Sequence, residues 1–256
     1  MAVDWSKVDY SAVDWSKVNY GGTPSTPTSS KPAPSTPTPE YVPSSPSGAP
    51  PPVLPNSGEP VGSGGAGPGF GPSNVKSALN PAAPWEYTGN IGSPPGSNIQ
   101  VLDKGQDPSQ YAYTNTYTND GTQPQVINIW NSGGTTGKVG TGQSETPAKT
   151  FTLQPGESRT VAFDTDSHVG WSASPNGTNQ GYTWGEASFG TAQPPGSAGW
   201  SGYNLSQING NQGNMTMKNE VSGVSAEGAW QTGGTGANPY DRGVPPGIVR
   251  LKTGVS

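Results

Sequence analysis

The sequence predicts an all-β domain, an antiparallel sandwich, behind a long N-terminal stretch of low complexity. Three observations predict it. Apolar and polar residues alternate over short runs from residue 84 onward, the period of half-buried strands. Clusters of Gly, Pro, Asn and Ser punctuate those runs at turn spacing. No segment shows the 3.6-residue spacing of an amphipathic helix. With 39 Gly, 29 Pro and only 29% apolar residues, one core of roughly 170 residues with a disordered remainder fits better than two domains. Barrel closure is the alternative architecture.

Residues 3–12 and 13–22 repeat at a ten-residue period, VDWSKVDYSA and then VDWSKVNYGG. Two copies are too few for a solenoid, so residues 1–20 are expected to be disordered. A bivalent linear motif for an unnamed partner is the sharper reading. Residues 21–83 are rich in Pro, Ser, Thr and Gly and read as a linker, too poor in apolar groups to offset the entropy of ordering. Ser/Thr with Pro is also the composition of an O-glycosylated stalk.

The folded domain is expected over 84–256. Tyr111, Tyr113 and Tyr117 alternate with small polar residues, and QVINIW (125–130) is apolar on both faces, as a central strand would be. Thr150 to Leu153 and Thr160 to Phe163 each present one apolar face. Between them Gln154-Pro155-Gly156-Glu157 suits a type II turn, which predicts a hairpin. Val169 to Ala173 continues the alternation. In GYTWGEASF (181–189), Tyr182, Trp184 and Glu186 share one face, opposite Thr183, Ala187 and Phe189. Met215 and Met217 share a face, Trp230 is isolated, and a last strand lies near Ile248 to Leu251.

Composition excludes much chemistry. There is no cysteine and one histidine, His168, so Cys/His zinc sites, cysteine nucleophiles and two-histidine copper sites are ruled out; no metal and no cofactor is expected. His168 reads as a turn residue. Net charge is −5 without a basic stripe, which speaks against nucleic acid as a partner. No apolar run spans a membrane. The start Met1-Ala-Val-Asp-Trp carries no signal peptide and reads as a mature segment with an initiator methionine.

Four blocks carry a resemblance: YTGNIGSPPGSNIQ (87–100), QPGESRTVAFD (154–164), GYTWGEASF (181–189) and GWSGYNLSQIN (199–209). In order and spacing the chain from Tyr87 onward resembles the Asp f 4 family of fungal secreted allergens. That resemblance implies a secreted, extracellular or cell-wall protein, IgE as a partner in a sensitised host, and no well-established activity. Relatives carry cysteines and this chain has none, so packing alone must hold its loops. EASF, YNLSQI and NMTM also bear a fainter similarity to the thaumatin-like sandwich, whose members often bind β-glucan in an acidic cleft.

The candidate residues follow from chemistry. Trp171, Trp184, Trp200 and Tyr182 are candidates for stacking on sugar rings, with burial in the core as the competing reading; Trp85 belongs to the same aromatic set. Glu186 with Asp164 or Asp166 supplies the two carboxyl groups that glycoside hydrolysis needs, if sequential strands neighbour one another. Solvated strand-end acids and a hydrogen-bonded glutamate are the plain alternative. Asp164-x-Asp166 is too short a fragment of a calcium loop to count as one. Asn176, Asn204 and Asn214 stand in glycosylation sequons. Together these favour a secreted, non-enzymatic protein with weak β-glucan-like polysaccharide binding. A glycoside hydrolase and a host-interaction protein using the tandem motif are the rivals.

Overall fold

The computed structural model describes residues 66–75, 87–135, 146–192, 199–208, 210–226, 228–230 and 241–256. The tandem repeat and most of the linker, along with Trp85, lie outside them. Residues 66–75, within the stretch read as linker, pack on the domain. Ala66 is buried in the core, and its carbonyl accepts from the Ala112 N–H at 2.7 Å.

Two sheets face each other. The smaller runs β1 (Ile99–Val101), β5 (Ser158–Phe163), β2 (Tyr113–Asn119), β12 (Val249–Val255) and β9 (Met215–Asn219). The larger runs β10 (Ala229–Trp230), β8 (Ser201–Ser206), β7 (Trp184–Phe189), β6 (Ser167–Ser174), β3 (Gln125–Asn131) and β4 (Lys149–Leu153), with β11 (Arg242–Val244) also on β8. Most pairings are antiparallel; β12 runs parallel to β2, and β10 to β8. This is an open sandwich and not a closed barrel.

Period-2 alternation builds the core. Tyr113 and Tyr117 from β2, Val161 and Phe163 from β5, Ile127 and Ile129 from β3, and Ala187 and Phe189 from β7 meet between the sheets. Phe163 stacks on Phe189 at 4.6 Å, and Tyr117 meets Trp171 edge-on at 5.7 Å. Met217 is buried and Met215 packs beside it, as their shared face predicts.

The predicted hairpin is corrected. The turn itself forms, with the Glu157 N–H donating to the Gln154 carbonyl at 2.9 Å and Gly156 at φ +77°. Its two strands, however, join different sheets: β4 pairs with β3, and β5 with β1 and β2. Both strands have an apolar face, and stacking across the core buries those faces as well as side-by-side pairing would. Asn119 at the end of β2 secures the crossover. Its side-chain amide donates to the Leu153 carbonyl at 3.0 Å, and its backbone carbonyl accepts from the Gly156 N–H at 2.9 Å.

Candidate functional site

The outer face of the larger sheet carries the chemistry. Cross-strand register lines up Trp130 on β3, Gly170 on β6, Glu186 on β7 and Asn204 on β8. Because Arg242 pairs with Tyr203, Asp241 extends the same row past the start of β11. The next row holds Asn128, Ser172, Trp184 and Ser206.

Glycine makes room for the aromatics here. A Cβ at Gly170 would lie 2.6 Å from Trp130 Nε1, so the indole lies flat across that strand. Trp130 in turn stacks on Trp184, with centroids 6.1 Å apart and planes 25° from parallel. On the opposite face a Cβ at Gly185 would come 2.6 Å from Trp171 Cζ2, which places the Trp171 indole against β7 from the core side.

The stacking candidates therefore separate. Trp171 is fully buried in the core and is corrected from a partly exposed position to a core one, since its side of β6 faces the other sheet. Trp184 is on the outer face as expected but only 9% exposed, held by the Trp130 stack. Trp200 is half-buried; a Cβ at Gly243 would sit 3.7 Å from its ring. Gly243 shares the face of Asp241 by alternation, so Trp200 lies beside the carboxyl row. Tyr182 is half-buried, its ring against Gly213.

Glu186 and Asp241 are the electrostatic centre. Burial pushes the Glu186 carboxyl up to about 7, opposed by a hydrogen bond with the Asn204 side chain. Burial, reinforced by the neighbouring Glu186 charge, pushes Asp241 up to about 8; Asn204 and Arg242 oppose this shift. Asn204 is thus bonded to both acids, yet its Oδ1 and the Asp241 Oδ1 have no hydrogen-bond partner. Trp184 Nε1, on the adjacent row, has none either. Unmatched buried polar atoms are uncommon enough to need an explanation.

Asp164 and Asp166 do not join Glu186. β5 and β7 belong to different sheets, so the expected sequential neighbourhood is corrected. Asp164 accepts from the Asn90 side chain at 3.0 Å and from the Thr165 N–H at 2.8 Å. Asp166, at φ +62°, accepts from the Tyr87 hydroxyl and, at 2.9 Å, from the Ala192 N–H. Nearby the Asn98 amide donates to Asn131 Oδ1 at 2.8 Å and to Ser167 Oγ at 2.9 Å. The NIGSPPGSN block thus closes one end of the sandwich with asparagines. His168 is in strand β6 and not in a turn, within 3.2 Å of Ser188 Oγ and 3.6 Å of Asp166 Oδ1.

Of the sequons, Asn176 and Asn214 are exposed beside turns, while Asn204 is 6% exposed within β8 and bonded to the two acids. Its candidacy for glycosylation is corrected on that ground. Trp130 and Asp241 escaped sequence reasoning. Trp130 was legible only as a strand residue, and Asp241 lies 55 positions beyond Glu186 with no motif around it.

The sequence profile of the Allergen Asp f 4-like domain matches residues 97–251, from just before β1 into the start of β12. The chain belongs to the Allergen Asp f 4-like family. It is 34% identical over 129 residues to Allergen Asp f 4 of Aspergillus fumigatus, a match covering 48% of this chain and 38% of that protein. Among solved structures it is similar to the thaumatin-like xylanase inhibitor TLXI, at 15% identity over 55% of this chain and 97% of that one, with a TM-score of 0.38. The protein elicitor MoHrip2 from Magnaporthe oryzae is similar at 17% identity over 55% and 98% of the two chains, with a TM-score of 0.36. Likeness at that level says nothing about activity. Among the described residues no helix is long and apolar enough to cross a membrane.

Proposed function

We propose that this Asp f 4-type domain is an extracellular, cell-wall-associated protein that binds a β-glucan-like polysaccharide without hydrolysing it. The observation that supports this most is the meeting of half-buried Trp200 with unmatched polar atoms on one sheet face. A sugar ring offers an apolar face to an indole and hydroxyls that both donate and accept. Asn204 Oδ1 and Asp241 Oδ1 need donors, and Trp184 Nε1 needs an acceptor. Tyr182, half-buried against Gly213, is the further aromatic candidate. Family membership favours an extracellular setting and IgE as a partner in a sensitised host; exposed Asn176 and Asn214 remain the glycosylation candidates in such a setting.

A second reading has one specific observation behind it. Glycoside hydrolysis needs a carboxyl with a raised pKa as general acid beside a second that ionises as base or nucleophile, and Glu186, at about 7, with neighbouring Asp241 is a pair from which both could come. Retention on insoluble β-glucan separates the readings. Trp200→Ala should weaken retention about fivefold, the scale of one aromatic contact, while Glu186→Gln retains most binding and the wild type releases no reducing sugar. Sugar release that vanishes in Glu186→Gln would establish the hydrolase. Retention unaltered in Trp200→Ala would remove this face as the binding surface.

A further inference from the structure

The outer-face row also has unmatched oxygens that a cation would meet. Glu186 and Asn204 are direct cross-strand partners, and Asp241 follows them in the same row. The unmatched atoms of this row are oxygens, one of them on a carboxylate. Asn204 is only 6% exposed and hydrogen-bonds both acids, so its amide is held between them. Arg242 is the adjacent cation; it directs Nε to the Ser225 carbonyl at 3.2 Å and Nη1 to the Asp241 carbonyl. Its influence on Asp241 is the weakest of those acting there.

We infer that Glu186, Asn204 and Asp241 form a site for a hard divalent cation, with calcium the best match to its ligands. Hard cations take carboxylate and amide oxygens, and calcium accepts six to eight of them in a flexible shell. Among the described residues no group of three or more His, Cys, Asp or Glu could hold a metal, so a site in this row needs the Asn204 amide oxygen as its third protein ligand. Turning the Asn204 amide over exchanges nitrogen for oxygen between the acids with little change of shape. A cation there also explains why two acids share a face in which the Glu186 charge makes Asp241 harder to ionise. Magnesium insists on a near-ideal octahedron and dehydrates reluctantly, which fits three ligands in one row of a sheet less well. Three protein ligands leave positions for water or hydroxyl oxygens. Affinity therefore belongs in the range of about 10⁻⁴ to 10⁻³ M found in extracellular calcium modules. The site stands whether or not the face binds a polysaccharide.

The sheet supplies its own reporter. Trp184 lies two residues from Glu186 on the same face, stacked on Trp130, where indole excitation can reach a bound terbium ion. Full-length protein titrated with terbium should emit on tryptophan excitation, and calcium alone should displace the ion. Glu186→Gln and Asp241→Asn should each weaken binding tenfold or more, Asn204→Asp should tighten it, and Asp103→Asn, at an exposed loop acid, should change nothing. So that a misfolded variant does not leave the question open, the wild type provides a second measurement. Calcium at about 10 mM, an order of magnitude above the expected range, should raise its melting temperature, and chelator should reverse the rise. Terbium emission that survives unchanged in Glu186→Gln and Asp241→Asn, or a wild-type melting temperature indifferent to calcium, would overturn the assignment.

Discussion

Asp164 and Asp166 end β5 and open the turn to β6, while Glu186 and Asp241 sit on the outer face of the larger sheet. Both pairs are largely withdrawn from water. They differ in what they touch. The first pair is met by an asparagine side chain, two backbone N–H groups and a tyrosine hydroxyl. The second shares a single amide, and burial raises both pKa values to near neutrality. Removing an acid from water is tolerable when donors replace the water, and expensive when they do not. The first pair is therefore a structural clasp between the sheets. The second is destabilising in itself, and its place in the fold is best understood through a ligand.

The largest effect expected from this contrast is at the clasp. Asp166→Ala strands the Tyr87 hydroxyl and the Ala192 N–H. At about 1–3 kcal/mol per unsatisfied buried group, the loss should be roughly 3 kcal/mol, read as a lower urea midpoint at unchanged slope. Asp164→Ala should lose a similar amount by freeing Asn90 and Thr165. A midpoint within about 0.5 kcal/mol of wild type would mean that these acids are not the clasp.

The difference between the pairs was only partly legible in the sequence. Alternation assigned the faces of 184–189 correctly, because each side chain's face depends only on its own strand. The alternation of Tyr113 and Tyr117, the apolar face of Phe163 and the shared face of Met215 and Met217 match the buried side of their strands for the same reason. Which strands become neighbours is a long-range matter, and there the sequence misled. Gln154 to Glu157 makes the turn its residues demand, yet the chain crosses between sheets there. That one crossing separates Asp164 and Asp166 from Glu186. Asp241 reaches Glu186 only because β11 adds to β8, a pairing with no local signature. Trp171 and Trp184 look alike in sequence, but Trp171, opposite Gly185, faces the core, and Trp184, opposite Ser172, faces outward.

Acidity should act on the second pair through stability, at a somewhat smaller scale. Glu186 rises from 4.5 to about 7 and Asp241 from 3.8 to about 8. A carboxyl whose folded pKa exceeds its unfolded one favours folding fully below the unfolded value. It loses that contribution as pH climbs through the folded value. In the absence of divalent cations the domain should therefore be more stable near pH 4 than near pH 8, insofar as this pair decides. At about 1.4 kcal/mol per unit, the loss is on the order of 9 kcal/mol before solvent screening of these half-buried groups, and a few kcal/mol after it. Glu186→Gln with Asp241→Asn should flatten that part of the profile. Urea midpoints across this range, measured in wild type and double variant, check it. Identical slopes in the two proteins would show that the second pair is as well satisfied as the first.

The smallest expected effect asks whether the clasp depends on charge or on hydrogen bonds. Asp166 occupies a left-handed conformation at φ +62°, which asparagine adopts nearly as readily as aspartate. In Asp166→Asn the side-chain oxygen keeps the Ala192 N–H, and the new amide faces Tyr87, whose hydroxyl turns from donor to acceptor. Every buried group keeps a partner, so the loss should stay below about 1 kcal/mol. The one interaction removed is the contact of Asp166 Oδ1 with His168 Nε2 at 3.6 Å, which is ionic only with a protonated imidazole. If Asp166→Asn costs as much as Asp166→Ala, charge pairing with His168 holds the clasp. The contrast between a hydrogen-bonded pair and a ligand-seeking one would then give way to one between a charge-compensated pair and an uncompensated one.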